Sequence, residues 1–143
     1  MAWDDAPLIE ALRGLSLFAD LDDLALAHVA AAASRVELPR GHVLVEAGQE
    51  GAGLFVLLDG RASIEVGGRT FECDRGDFIG ELSLLVDGLV HTGRVQATTP
   101  VTCLAIGRDD FERLLEREPR IAVNMLRVLA RRLADTDKLL AHG

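Results

Sequence analysis

No stretch of this 143-residue chain is apolar for long enough to cross a bilayer, and no basic segment followed by a hydrophobic one opens it. Neither a membrane span nor an export signal is expected, and a cytoplasmic location is the default reading. Positive charge is scarce: 15 Lys and Arg stand against 23 Asp and Glu, a formal net charge of −8. Such a chain is not expected to grip a nucleic-acid backbone, which takes clustered cations to displace counterions. Cysteine is limited to Cys73 and Cys103, far apart and each in an apolar, strand-like context. They read as two buried free thiols rather than a disulfide or a metal site. His28, His42, His91 and His142 are scattered with no His-x-His pair, and no nucleophile stands beside an orienting base. Neither a metal, a cofactor nor catalysis is expected.

What the chain does have is apolar content, 49%, enough for one globular domain over residues 1–143. Its hydrophobic period changes twice, dividing it into N-terminal helices (1–33), a β-roll (34–107) and C-terminal helices (108–143). From Pro7 to Phe18, Leu8, Ile9, Leu12, Leu15 and Phe18 recur at helical spacing, with a break at Gly14. Asp20, with Asp23 behind it, is the expected N-cap of a second helix reaching about Ala33, with Leu24, Ala27, His28 and Ala31 facing the core. After Ser34 the pattern alternates and glycines punctuate it. Strands are expected at Arg35–Leu38, His42–Glu46, Leu54–Leu58, Ala62–Val66, Arg69–Cys73, Thr92–Ala97 and Val101–Ile106. Gly67-Gly68 supplies the positive φ of a two-residue hairpin. Many short strands at regular spacing predict a mainly β jelly-roll, a double-stranded β-helix, with flanking helices.

The chain is organised around Asp77-Phe78-Ile79-Gly80-Glu81-Leu82-Ser83-Leu84-Leu85 and the segment His91-Thr92-Gly93-Arg94-Val95-Gln96-Ala97. The first reads as a turn at Gly76-Asp77, a short strand ending at Ile79, and a helical turn from Gly80. Gly80 lets the backbone come close to whatever is bound, and the free amides near Leu82 and Ser83 form an anion-attracting helix start. Glu81 beside them suits a neutral hydroxyl pair such as a ribose edge.

These residues resemble the phosphate-binding cassette of the cyclic-nucleotide-binding domain family, in the catabolite-activator type, protein kinase regulatory subunits and cyclic-nucleotide-gated channels. Gly76, Phe78, Gly80, Glu81, Leu82, Ser83 and Leu84 match its first half. Thr92, Val95 and Ala97 match its second, Gly93 stands for an alanine, and His91 stands where the family has its phosphate-binding arginine. Pro39, Gly41, Leu44 and Gly48 match the early-strand signature, and Leu54 to Gly60 resembles the following apolar strand and turn. Strand alternation puts Gly93, Val95 and Ala97 on the inner face and Arg94 and Gln96 outside, so Arg94 replaces the missing arginine only if Gly93 marks a bulge.

Beyond Arg108 the helical period returns. Arg108 to Arg117 reads as one helix with Phe111, Leu114 and Leu115 inward, and Pro119 opens another to about Leu140. This last helix carries two stripes, Ile121, Met125, Val128 and Leu139 on one, Leu126, Leu129, Leu133, Thr136 and Leu140 on the other. One suits the barrel and the other a partner, unless both form a single broad core-facing side. Ala130 to Leu133 and Thr136 resemble the family helix that closes over the base. The resemblance implies that Thr136 bonds the purine edge and that Arg132 reaches toward Glu81 or the ligand. It also implies a parallel homodimer along this helix. No helix-turn-helix follows, so a stand-alone domain is expected.

The expected function is therefore a regulatory sensor of a cyclic nucleotide, cAMP or cGMP with cAMP favoured. Its ligand-binding residues would be Ile79, Gly80, Glu81, Leu82, Ser83, His91, Thr92, Arg132 and Thr136. Its output would be a changed dimer surface or a contact with an effector protein. The alternative is a scaffold whose pocket lost its nucleotide when His91 replaced the arginine.

Overall fold

The computed structural model describes residues 5–48, 53–80, 85 and 93–142, with side chains for all of these except 5–6 and 136–142. Helix α1 (Asp5–Arg13), a 3₁₀ turn (Ser16–Phe18) and helix α2 (Asp23–Ala32) precede the first strand. Leu8, Leu12, Leu15 and Phe18 are buried against the rest of the domain, as their spacing predicts, while Ile9 is half-buried and Leu17 is buried beside them.

Two expectations for α2 are corrected. Its N-cap is Asp22, whose carboxylate accepts the Ala25 N–H at 2.8 Å, while Asp20 takes a positive φ of 64° and pairs with Arg120 at 2.9 Å. The buried face is Ala25, Leu26, Val29 and Ala30, and Leu24 is 67% exposed. The sequence Asp23-Leu-Ala-Leu-Ala-His-Val-Ala-Ala-Ala is apolar almost all round, so its period selects no face. The polar mark that orients it is His28, whose Nδ1 lies 2.8 Å from a Glu118 carboxylate oxygen at the edge of the core.

Strands β1 (Ser34–Leu38), β2 (Val43–Val45), β3 (Gly53–Asp59), β4 (Ala62–Val66), β5 (Arg69–Cys73), β6 (Phe78–Ile79), β7 (Arg94–Ala97) and β8 (Val101–Gly107) follow the predicted order. They form two four-stranded antiparallel sheets, ordered β1-β8-β3-β6 and β2-β7-β4-β5, the two layers of a jelly-roll. The β4–β5 turn has positive φ at both Gly67 (56°) and Gly68 (77°), which joins the hairpin without splaying it. Helices α3 (Arg108–Arg117) and α4 (Pro119–His142) are the last elements among the described residues.

Alternation along the strands builds two cores. Leu54 and Val56 of β3, with Leu104 and Ile106 of β8, face the helices and pack with Phe78, Phe111 and Ile121. Leu57 and Cys103, paired in register, point the other way. They join Val45, Ala62, Cys73, Ile79, Val95 and Ala97 between the sheets. Cys73 and Cys103 are both buried and are not joined in a disulfide, and burial pushes the Cys103 thiol up to about 11. No helix among the described residues is long and apolar enough to cross a membrane.

Candidate functional site

The cassette begins in a turn closed by its own side chain. The Asp77 N–H donates to the Asp74 carbonyl at 3.0 Å, and the Asp74 N–H returns to the Asp77 carboxylate at 2.7 Å. Gly76, at φ +92°, occupies the left-handed position within it. The turn is fastened to β3 by two further bonds, Gly76 N–H to the Leu57 carbonyl at 2.8 Å and Leu57 N–H to the Asp77 carbonyl at 2.9 Å.

From this turn β6 pairs antiparallel with β3, Val56 opposite Phe78 and Phe55 opposite Ile79. The pairing sends successive side chains to opposite layers, Phe78 into the helix-side core and Ile79 into the inter-sheet core. Gly80 follows at φ +92°, and a Cβ there would lie 2.5 Å from the Gly53 carbonyl oxygen. The close approach that Gly80 permits is thus to the backbone of β3. It fixes where the cassette leaves the sheet.

Helix α4 meets the cassette at the same place. The Arg132 guanidinium lies 4.5 Å from the centroid of the Phe78 ring and donates to the Phe78 carbonyl at 3.3 Å. Of the predicted ligand residues, Ile79, Gly80 and Arg132 are therefore gathered around β6. Glu81, Leu82, Ser83, His91 and Thr92 lie outside the described residues, and Thr136 lies on α4 beyond the described side chains. Arg94 points outward, as alternation predicts. Its Nε sits 3.5 Å from Glu46, with Val95 and Ala97 buried on the other side of the strand.

Gly93 has a local reason of its own. A Cβ there would fall 2.5 Å from the Val66 Cγ2 and 3.2 Å from the Glu65 carbonyl oxygen. The end of β4 occupies the space that a side chain would take.

Two residues that support the site, Asn124 and Glu118, were not singled out from the sequence, and Phe78 was read only as part of the cassette motif. Phe78 is the platform on which Arg132 rests. Asn124, buried at the edge of the α4 core stripe, donates to the carbonyls of Leu17 at 3.0 Å and Ala19 at 2.8 Å. Glu118, at the junction of α3 and α4, holds His28. A polar residue beside the apolar stripe Ile121, Met125 and Val128 was the available signal for Asn124, since a buried amide requires a partner.

An antiparallel jelly-roll that offers a short glycine-bounded strand to a long C-terminal helix defines a class of regulatory ligand-binding domain. A family model described as the cyclic nucleotide-binding domain matches residues 35–118, and the chain belongs to that family. The CRP-like cAMP-activated global transcriptional regulator of Mycobacterium tuberculosis is 30% identical over 141 residues, covering 92% of this chain and 61% of the relative. A cAMP-dependent protein kinase regulatory subunit of Aspergillus fumigatus is 35% identical over 107 residues, covering 73% of this chain and 26% of the relative. The chain thus spans less than two thirds of the length of either. The crystal structure of the Thermus thermophilus catabolite activator protein is similar with a TM-score of 0.79 at 27% identity, covering 88% of this chain and 62% of that one. These relatives are regulators by name.

Proposed function

We propose that this domain is a cytoplasmic, non-catalytic sensor that binds a cyclic nucleotide, cAMP before cGMP, within the β-roll and signals through α4. The observation that carries this reading is the meeting of Arg132 with Phe78, because it couples the long helix to the strand that leads into Glu81, Leu82 and Ser83. In this reading Glu81 accepts the ribose hydroxyl, the Leu82 and Ser83 amides with Thr92 hold the cyclic phosphate, and Thr136 meets the base. The ligand acts through its preference for one position of α4 over another. The names of two relatives, one cAMP-activated and one cAMP-dependent, support cAMP as the first ligand to try.

His91 sets the affinity. It replaces a permanently charged two-pronged clamp with one donor nitrogen, and a hydrogen bond to a charged group contributes about 1.5–3 kcal/mol, roughly a tenfold to 150-fold weakening. An imidazole titrates near neutrality, and a bound phosphate favours its charged form. Binding is therefore stronger in acid.

The output surface is the outer side of α4. Val123, Leu126 and Leu133 are 38%, 66% and 63% exposed, and their spacing of three and seven residues is that of a two-helix seam. A second copy of this chain covers it in a parallel homodimer, and an effector protein reads the pair.

The test is isothermal titration with cAMP and cGMP at about pH 6 and pH 8, on the wild type and on Glu81→Ala and His91→Arg. Wild-type binding that is tighter in acid and lost in Glu81→Ala is the expected result. Binding by His91→Arg alone means an intact pocket disarmed by His91, which is the scaffold alternative. Silence from every protein overturns the sensor.

A further inference from the structure

A second recessed surface lies away from the cassette, on the far side of α4 from Leu126 and Leu133. It is a cleft of about 310 Å³ between the 3₁₀ turn and α4, lined by Ser16, Ala19, Asp20, Asn124, Arg127, Val128 and Arg131. Ala19 and Val128 give it an apolar floor. Arg127 and Arg131 stand one helical turn apart on its wall, about 6 Å along the axis. Both are exposed, and neither makes an ion pair among the described residues.

The surroundings neutralise them only in part. Residues 119–134 hold Arg120, Arg127, Arg131 and Arg132 and no Asp or Glu, and Asp135, one turn beyond Arg131, is the first acidic residue after them, so this stretch of α4 is basic in a chain whose net charge is −8. Asp20 contributes one carboxylate to the cleft, and Arg120 already pairs with it at 2.9 Å. The Arg120 Nε beside that pair is buried without a hydrogen-bond partner. The cleft therefore has an excess of cationic donors above a small apolar floor.

We propose that this cleft is a docking site for an acidic peptide segment of a partner protein. Two carboxylates spaced by a turn would meet Arg127 and Arg131, and one short apolar side chain would enter between Ala19 and Val128. The overall negative charge disfavours a nucleic-acid backbone as the occupant and leaves local attraction for a segment short enough to see mainly this strip. The site stands apart from the nucleotide reading and does not depend on it.

The experiment is fluorescence anisotropy on the full chain with a short fluorescein-labelled peptide in which glutamates recur every third or fourth residue around a single leucine. The same peptide with glutamines, and a labelled DNA duplex, serve as comparisons. The glutamate peptide is expected to bind saturably below about 1 mM. Binding should weaken about tenfold in the exposed double variant Arg127→Gln/Arg131→Gln and also in Ser16→Glu, which places a carboxylate on the opposite wall. Unchanged circular dichroism and melting temperature verify that both variants fold. Four outcomes overturn the proposal: no binding of the glutamate peptide, equal binding of the glutamine peptide, binding of the duplex alone, or wild-type affinity in Ser16→Glu. The last would mean a bare strip of surface charge and no cleft.

Discussion

Arg132 lies over the ring of Phe78 at 4.5 Å and bonds that residue's own carbonyl at 3.3 Å, so a single side chain of α4 grips both the face and the backbone of the cassette strand. The ring is buried and the guanidinium is exposed, which limits the cation–π contribution to about 0.5–1 kcal/mol. Arg132→Ala is expected to lower unfolding free energy by about 1 kcal/mol in urea titration, and Arg132→Lys by less, since an ammonium keeps the charge but loses the planar fork. No change in either variant would mean that the contact adds nothing to stability.

The closest backbone approach in the cassette gives a larger effect. Gly80→Ala forces a side chain into a left-handed conformation and a Cβ to 2.5 Å from the Gly53 carbonyl oxygen, a backbone atom at the start of β3. A loss of about 2–4 kcal/mol is expected in chemical denaturation. Wild-type stability in that variant would show that β6 separates from β3 without cost.

Asn124 makes two polar bonds that join α4 to the N-terminal 3₁₀ turn and the residue after it. Asn124→Ala leaves the Leu17 and Ala19 carbonyls without this donor, at a cost of about 2–4 kcal/mol. Hydrogen exchange should show lost protection in residues 15–19 before the strands are affected. Uniform loss of protection across the chain would contradict a local role.

Alkaline pH offers a window with few other titrating groups, because the chain has no tyrosine, Lys138 is its one lysine and Cys73 is the one other thiol. The Cys103 thiol rises from 9.0 to about 11 through burial between the sheets. Below about pH 9 both folded and unfolded chains keep this proton, and stability does not change through it. Between about 9 and 11 the unfolded chain releases it first, so stability falls by up to roughly 3 kcal/mol and the loss levels off above the folded value. Urea unfolding across this range should show the decline in the wild type and a flatter profile in Cys103→Ala. Equal slopes would mean that Cys103 ionises freely in the folded protein.

The exposed seam of α4 is tested by light scattering. The wild type is expected at twice its 15.4 kDa chain mass, and Leu126→Lys/Leu133→Lys at the mass of one chain with unchanged circular dichroism. A monomeric wild type would remove the homodimer from the proposed output.

The fold was legible because each strand of the roll carries its own punctuation. Ala62–Val66 and Arg69–Cys73 were placed to the residue, since two adjacent glycines have few uses other than a tight hairpin and alternation marks both flanks. Helix α2 was legible as a helix but not in its orientation. A segment of alanine, leucine and valine contains no polar face, and the contact that orients it, His28 with Glu118, spans 90 positions of sequence. The same separation hid the partner of Asp20, because Arg120 lies 100 residues away. At the site, glycines and the turn were readable from local backbone demands. That Arg132 would land on Phe78 required knowing how α4 crosses the sheet, which is decided by packing on Ile121 and Met125.

The position of Asn124 makes α4 a lever. The first turns of the helix bury Ile121, Asn124 and Met125 and are bonded to the 3₁₀ turn, whereas residues 130–135 are exposed. From Asn124 to His142 the helix runs about 27 Å, so a tilt of about 10° at the pinned end carries the far end roughly 5 Å. A displacement too small to disturb the packing at Ile121 would thus become, at the tip, one as wide as a side chain.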